Sequence, residues 1–163
     1  MLRLSSRGRY AVRALFDIAF HEDEASEGRL AARPAQLRDI AERQRIPARF
    51  LEQILLDLKR AGFVESKRGP NGGFRLTRPS RDIALGEVLR AVEGPLGIAD
   101  DAAPRKASRG RKPEPRDATD EVLADLARSV ERCFDAVTIA DVCARGERLG
   151  LRRRARPADS YVI

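Results

Sequence analysis

The chain of 163 residues has few of the side chains on which most catalytic and metal sites depend. It contains two cysteines, Cys133 and Cys143, a single histidine, His21, and no tryptophan. Two cysteines cannot build a disulfide framework, and with one histidine they do not match the ligand spacings of common zinc sites. Hydrolytic chemistry of the Ser–His or Cys–His kind would have to use His21, which no catalytic motif surrounds. The composition therefore argues against an enzyme.

Long apolar runs are also missing. Uninterrupted apolar stretches reach only a few residues, whereas a helix that spans a bilayer needs about 20. The first ten residues, M-L-R-L-S-S-R-G-R-Y, show neither the apolar core nor the cleavage site of a secretory signal. Apolar residues still make up 42% of the chain, enough for a packed core. We therefore expect a globular cytoplasmic protein with no membrane partner.

The charge and the aromatic residues divide the chain. Lys and Arg number 32 against 25 Asp and Glu, which gives a net charge of +7. Six of the eight aromatic residues fall within the first 74 residues, and residues 99–121 contain no Val, Ile, Leu, Met, Phe or Tyr. Residues 94–117 hold four of the nine prolines and an excess of Arg and Lys. We interpret 94–117 as a basic linker or loop, either a second DNA contact or merely an extended segment.

Local patterns before this linker predict a helix-turn-helix followed by a β-hairpin. Ser5 or Ser6 is suited to cap a first helix that carries arginines on its outer face. A short helix from about residue 37 and a second from Pro47 are separated by a tight turn, and Gly62 follows the end of the second. The second helix carries an apolar stripe formed by Phe50, Leu51, Ile54, Leu55 and Leu58. Strand-like segments 63–67 and 74–77 flank the sequence R-G-P-N-G-G, which predicts a wing.

A further amphipathic segment follows the linker. Thr119 is suited to cap a helix in which Leu123, Leu126, Val130 and Cys133 recur at helical spacing, with Phe134 beside them. This stripe needs a partner surface. The predicted organisation is a DNA-binding domain over residues 1–93, with its helix-turn-helix at about 37–60 and wing at about 63–77. The linker at 94–117 precedes a dimerisation helix and a short following helix over 118–144, and a basic, flexible tail over 145–163. The fold class is mostly α with a small β wing.

Several motifs resemble those of the Rrf2 family of bacterial transcription regulators. They are R-G-R-Y-A-V-R-A-L at 7–15, I-A-E-R-Q at 40–44, F-L-E-Q-I-L at 50–55, A-G-F-V-E-S-K-R-G-P-N-G-G-F at 61–74 and A-V-E-G at 91–94. The resemblance covers residues 2–94 almost continuously and resumes over about 118–142. It implies a winged helix-turn-helix that binds imperfect inverted repeats as a homodimer, with a long C-terminal helix that crosses to the second subunit.

The resemblance also assigns the DNA-binding residues. Glu52 and Gln53 match the family's base-reading pair, and these side chains suit cytosine N4 and adenine respectively. Arg68 matches the wing arginine that enters the minor groove, and Arg49 is expected to meet phosphate. Further DNA contacts are predicted at Phe50, Lys59, Arg7 and Arg9. The alternative for Glu52, Gln53 and Arg68 is that they are solvated surface residues.

Many members of the family hold an iron–sulfur cluster through three cysteines that follow A-V-E-G. Residues 94–117 contain no cysteine, and Asp120 stands where the family has a ligating histidine. We therefore expect no bound cofactor. Cys133 and Cys143 are interpreted as buried, inert thiols, the alternatives being a redox-responsive thiol or a cluster that bridges two subunits. His21 is interpreted as a surface residue.

The expected function is a cytoplasmic, homodimeric, sequence-specific DNA-binding regulator. By the habit of the family, it is expected to be a repressor. The candidates for what shifts its DNA affinity are a small molecule, a protein partner or thiol oxidation. The alternative is an interaction module that binds a partner enzyme and no longer reads DNA. Retention of Glu52, Gln53 and Arg68 together argues against that alternative, because a partner surface would not require those side chains.

Overall fold

Helices dominate the architecture, with one small hairpin. The computed structural model describes residues 4–21, 34–69, 72–94 and 115–152. Within them the elements are α1 (Ser6–His21), α2 (Leu37–Gln44), α3 (Ala48–Arg60), β1 (Val64–Lys67), β2 (Gly73–Leu76), α4 (Leu85–Glu93), α5 (Pro115–Asp135) and α6 (Ile139–Arg148). Strands β1 and β2 pair antiparallel, with Val64 opposite Leu76. The predicted winged helix-turn-helix fold is confirmed.

The turn between α2 and α3 is set by a residue in the left-handed region. Arg45 has φ 49°, and its backbone N–H donates to the carbonyl oxygen of Glu42 at 3.3 Å. Ile46 follows with its side chain buried, and Pro47 then caps α3. This sequence of one strained, one buried and one rigid residue directs the chain from one helix into the next.

Helix α3 presents one face to the core and the other to solvent. Leu51, Ile54, Leu55 and Leu58 are buried, as their spacing predicts. Phe50, which the spacing assigns to the same stripe, is instead 63% exposed. At ~100° per residue, Phe50 lies roughly 90° from the mean direction of the four buried side chains, which places it at the edge of the stripe.

The core combines segments from both ends of the chain. Leu15 and Ile18 of α1 pack with Leu55 of α3, Val88 of α4 and Ile139 of α6. The backbone N–H of Ile139 donates to the carbonyl oxygen of Ile83 at 2.9 Å. The chain after α5 thus returns to the core of the N-terminal segment, so Gly94 does not mark the end of a separate core.

The two C-terminal helices differ in their bounds from the predicted ones. Helix α5 begins at Pro115 and not after a cap at Thr119. Proline is well tolerated at the first position of a helix. Helix α6 continues to Arg148, beyond the predicted limit at 144. Residues 95–114 of the predicted linker and residues 153–163 of the predicted tail lie outside the described residues. In the described part of the chain, no helix combines the length and apolar character needed to cross a membrane.

Candidate nucleic-acid interface

The solvent face of α3 carries polar side chains that no other described residue engages. Arg49, Glu52 and Gln53 are exposed, and none of them forms a hydrogen bond or ion pair with another described residue. Phe50 lies on the same side, in the first turn of the helix. The buried leucines on the opposite face fix the orientation of the helix, so these four side chains project from a rigid support into solvent.

The wing lies beside α3 and is joined to it by a hydrogen bond. Lys59, in the last turn of α3, donates from Nζ to the Ser66 hydroxyl of β1 at 2.6 Å. Arg75 of β2 pairs with Glu65 of β1 across the hairpin. Arg68 follows β1 and is exposed. The contact of Lys59 therefore connects the C-terminal end of α3 to the strand that leads to Arg68.

The base of the wing is anchored to the segment before α2. Ala35 and Phe74 exchange two backbone hydrogen bonds, each of 2.8 Å. Gly73 has φ 156°, and a Cβ at this position would overlap the carbonyl oxygen of Ala35. Glycine is thus required where the two backbones meet.

The two arginines predicted on α1 have different surroundings. Arg7 forms an ion pair with Asp57 of α3, so it lies beside the C-terminal half of that helix. Arg9 donates to the Ser6 hydroxyl at 3.2 Å within its own helix. Both side chains are exposed. Arg7 is therefore next to α3, whereas no contact brings Arg9 to it.

A buried ionic cluster of Asp17, Arg43 and Gln44 joins the first helix of the helix-turn-helix, α2, to α1. It was not predicted from the sequence. Asp17 of α1 is 0% exposed. The Arg43 guanidinium donates to its carboxylate from Nη2 at 2.6 Å and from Nε at 3.1 and 3.2 Å. Gln44 adds a bond from Nε2 at 2.9 Å. These contacts fasten the last turn of α2 to α1, immediately before the turn that leads into α3.

Electrostatics in this cluster favour the charged pair. The hydrogen bond to Asp17 raises the pKa of the Arg43 guanidinium above its ordinary value, although partial burial acts in the opposite direction.

His21 also belongs to this cluster: its Nδ1 lies 2.9 Å from the backbone oxygen of Asp17 and 3.8 Å from the Asp17 Oδ1. With only 15% of its side chain exposed, His21 is not the surface residue that the sequence predicts. The sequence feature that could have indicated this cluster is an acidic residue, Asp17, within the apolar stripe of α1.

Helix α5 exposes the apolar side chains of the predicted dimerisation stripe. Leu123 is 45% and Leu126 54% exposed, while Val130 and Phe134 are half-buried. Among the described side chains of α5, from residue 117 to 135, none is buried. An apolar stripe on a helix without buried residues needs a further surface to cover it.

The thiols are more accessible than predicted. Cys133 is exposed, and Cys143 is half-buried against the core. The prediction of a buried Cys133 is wrong for the isolated chain, because Cys133 lies on the uncovered stripe of α5. Its burial would depend on a second chain.

Comparison with known protein families gives one model that covers most of the chain. The model, described as "Rrf2: Iron-dependent Transcriptional regulator", matches residues 4–145. The transcriptional regulator IscR of Aliivibrio salmonicida is 36% identical over 146 residues, 90% of this chain and 80% of that protein. IscR of Serratia proteamaculans is 35% identical over 141 residues, 86% of this chain and 79% of that protein.

Solved structures show the same relationship. T. potens IscR superimposes with a TM-score of 0.68 at 32% identity, over 94% of each chain. CymR, described as the global cysteine regulator of B. subtilis, gives a TM-score of 0.67 at 27% identity, over 89% of this chain and 98% of CymR. These similar proteins are transcriptional regulators and not enzymes.

The family description names iron, but the donor set of this chain does not fit an iron–sulfur centre. Such centres are held mainly by cysteine thiolates, and the only two cysteines lie on different helices, α5 and α6. In the ranges 4–21, 34–69, 72–94 and 115–152, no group of three or more His, Cys, Asp or Glu side chains is placed to hold a metal ion.

Proposed function

The chain belongs to the Rrf2 family of winged helix-turn-helix, DNA-binding transcriptional regulators, and we propose that it is a homodimeric repressor that binds an inverted-repeat operator in the cytoplasm. The observation that carries this proposal is the exposed face of α3. It holds a carboxylate, an amide, a guanidinium and an aromatic ring without partners among the described residues. These are the groups that read base edges and phosphates.

Each side chain of this face receives a role from its chemistry. Glu52 accepts a hydrogen bond from the amino group of a cytosine, and Gln53 pairs with an adenine in the major groove. Phe50 packs its exposed ring against a thymine methyl group. Arg49, at the start of α3, binds a phosphate and sets the register of the helix in the groove.

The cations around α3 hold the backbone of the duplex. Arg68 enters the minor groove beside the site, where a narrow groove concentrates negative potential. Lys59 holds β1 against α3 through Ser66, and its exposed ammonium group contacts a phosphate. Arg7 and Arg9 on α1 contribute further phosphate contacts, Arg7 from its position beside α3.

Dimerisation through α5 gives the inverted symmetry of the operator. The stripe formed by Leu123, Leu126, Val130, Cys133 and Phe134 packs against the same stripe of a second chain. Burying such a stripe stabilises the dimer by about 25 cal/mol per Å² of apolar surface removed from water. The two-fold axis then places two copies of α3 about one helical turn apart on one side of the DNA.

Selection of DNA by the purified protein tests this function. The full chain is incubated with a pool of random duplexes, and bound sequences are enriched over several rounds and sequenced. We expect a pseudo-palindrome whose half-sites lie about 10 bp apart, or a multiple of that distance. The triple variant Glu52→Ala, Gln53→Ala, Arg68→Ala is the control and should enrich no motif.

Two outcomes would contradict the proposal. Failure to enrich any motif would favour a winged helix that binds a protein partner without reading DNA. Enrichment of a single, non-palindromic site would contradict the homodimer.

The repressor role is tested separately by transcription in vitro from a promoter that contains the selected operator. Added protein should lower the amount of transcript, and an increase would show an activator.

A further inference from the structure

A cleft lies beside the first helix and the turn of the helix-turn-helix, and no residue of α3 lines it. It is bordered by the C-terminal end of α1, the C-terminal end of α2 with its turn, and the residues that follow α6. We call it the α1–α2 cleft. Its volume is about 410 Å³, within the range of small-molecule sites. None of the residues assigned to DNA or to the dimer lines it.

One wall of the cleft is apolar. Phe16 and Phe20 stack with ring centroids 5.1 Å apart and an interplanar angle of 32°. Leu151 is 50% exposed beside them, and its position is fixed by the hydrogen bond from its N–H to the carbonyl oxygen of Gly146 at 3.1 Å. Gly146 in turn lies against Phe16, since a Cβ there would be 3.3 Å from the Phe16 ring. The aromatic and aliphatic groups thus form one continuous surface.

The charges of the cleft leave two cations available. Asp17 is neutralised by Arg43 and hydrogen-bonded by Gln44, so this pair offers no free charge. Arg45 and Arg152 also line the cleft, are exposed, and form no ion pair with any described residue. The opposing acid is Glu42, which is exposed. Three arginines therefore face two acids, and the excess is positive.

We propose that the α1–α2 cleft binds a small organic anion, a monocarboxylate with an aromatic or branched apolar body. The carboxylate is held between Arg45 and Arg152, because guanidinium groups bind carboxylates through paired hydrogen bonds. The body packs against Phe16 and Leu151. Neither a neutral apolar compound nor an organic cation satisfies both parts of the cleft.

The position of Arg45 connects this site to DNA binding, a step that rests on the proposed function. Arg45 is the left-handed residue of the turn, with φ 49°, and only Ile46 and Pro47 separate it from α3. Backbone conformations of this kind are strained in non-glycine residues and recur at switch regions. A ligand that joins Arg45 to Arg152 connects the turn to the segment that follows α6, and so changes the freedom of α3 to adjust to the operator.

Calorimetric titration of the full chain with benzoate tests the binding site without DNA. Benzyl alcohol and benzylamine serve as neutral and cationic probes of similar size. We expect saturable binding of benzoate below about 10 mM and none of the other two. Absence of saturable binding by benzoate, or equal binding of benzyl alcohol, would overturn the proposed site.

Variants locate the site. Arg45→Asn removes the charge but keeps a residue that tolerates the left-handed conformation, and Arg152→Gln removes the second cation. Each should weaken benzoate binding about tenfold or more, the effect of losing a charge-assisted hydrogen bond. Arg148→Gln, on an arginine that does not line the cleft, is the matched control and should bind like the wild type. Unchanged binding in both test variants would overturn the assignment.

The link to DNA is measured separately, on the operator obtained by selection. Saturating benzoate should shift operator affinity in the wild type but leave Arg45→Asn unaffected. If benzoate binds and operator affinity stays the same, the regulatory role is wrong while the binding site stands. If no operator is selected at all, the proposed function fails, and the calorimetric result still decides the site.

Discussion

The exposed ring of Phe50 contributes little to the stability of the fold and is available for a contact with DNA. An aromatic ring that is 63% exposed at the start of a helix gains little from folding, because most of its apolar surface remains in water. The gain comes when a partner covers it. The C5-methyl group of thymine is the apolar feature of the major groove, and Phe50 lies one helical turn from Gln53, which we assign to adenine.

Replacement of thymine by uracil tests this contact, since uracil lacks only the methyl group. With wild-type protein, replacing one particular thymine of a half-site by uracil should weaken operator binding by about 0.8 kcal/mol, the value of one methyl group. This corresponds to roughly a fourfold rise in Kd. Phe50→Ala should bind the thymine and uracil operators equally. The measurement is fluorescence anisotropy with each thymine replaced in turn. A uracil penalty that persists in Phe50→Ala would exclude the contact.

Asp17 is a second residue whose role can be measured directly. It is fully buried and receives four hydrogen bonds from Arg43 and Gln44. Asp17→Asn leaves the Arg43 guanidinium without its counter-charge and should lower the free energy of unfolding by about 2 to 4 kcal/mol. Asp82→Asn, at an exposed position, should change it by less than about 0.5 kcal/mol. Urea denaturation compares the two variants, and a similar effect in both would refute the stabilising role of the buried ionic cluster.

At the scale of elements, the parts predicted well are those with local signals. Pro47 and Gly62 bracket α3, and the structure places Pro47 at its cap and Gly62 just past its end with φ 78°. The predicted start of α5 is wrong because Pro115 follows a proline-rich, basic sequence that is typical of a linker. Helix α6 continues to Arg148 and is closed by Gly150, which has φ 78° and donates its N–H to the carbonyl oxygen of Glu147 at 2.9 Å, so the glycine that ends the helix lies beyond the predicted limit at 144.

Helix α6 is capped reciprocally by Thr138 and Asp141, and the cap makes stability depend on pH. The Thr138 backbone N–H donates to Asp141 Oδ2 at 2.8 Å and its hydroxyl donates at 2.7 Å. Both bonds lower the pKa of Asp141 below its ordinary value, and the bond from the backbone N–H has the larger effect. Since the pKa is lower in the folded state, the cap stabilises the fold above the unfolded pKa of about 3.9. That contribution is lost as the pH falls through the folded pKa.

Comparison of wild type with Asp141→Ala measures this contribution. The difference in free energy of unfolding should be constant between about pH 5 and pH 7 and should shrink below about pH 4. Thr138→Val, which removes the hydroxyl, should show a smaller pH-dependent difference, because the backbone N–H remains. Urea denaturation at each pH gives the values. A difference that grows as the pH falls would mean that folding raises the pKa of Asp141, the opposite of the expected direction.

At the scale of the whole molecule, α5 is attached to the core at its C-terminal end, and none of its described side chains, from residue 117 to 135, is buried. Arg90 of α4 holds Asp135 with Nη2 to Oδ1 at 2.7 Å, and a Cβ at Gly86 would overlap the same carboxylate. Toward the other end of the helix, Val122, Leu123 and Leu126 are exposed. The sequence pattern predicts the stripe because helical periodicity is local. The shared core of α1 and α6 could not be predicted, because it depends on Ile83 and Ile139 meeting across 56 positions.

A charge placed in this stripe should separate the subunits. Leu126→Asp would bring two carboxylates into an apolar interface, where unpaired charges are strongly disfavoured. We expect monomers by light scattering and weakened operator binding, because both half-sites must be engaged together. Arg132→Asp introduces the same side chain roughly 120° around α5 from Leu126, at ~100° per residue, and should stay dimeric. A dimeric Leu126→Asp would show that α5 does not form the interface.

The base preference of Glu52→Ala tests the central claim, that the exposed face of α3 reads the DNA sequence. Operator affinity is measured for wild type and variant against every single-base change in the selected operator. The wild type should discriminate at the contacted base pair by about 1 to 3 kcal/mol. Glu52→Ala should lose this preference at one position in each half-site and keep it elsewhere. If its preferences match those of the wild type at every position, Glu52 does not read the operator and the assignment of α3 is contradicted.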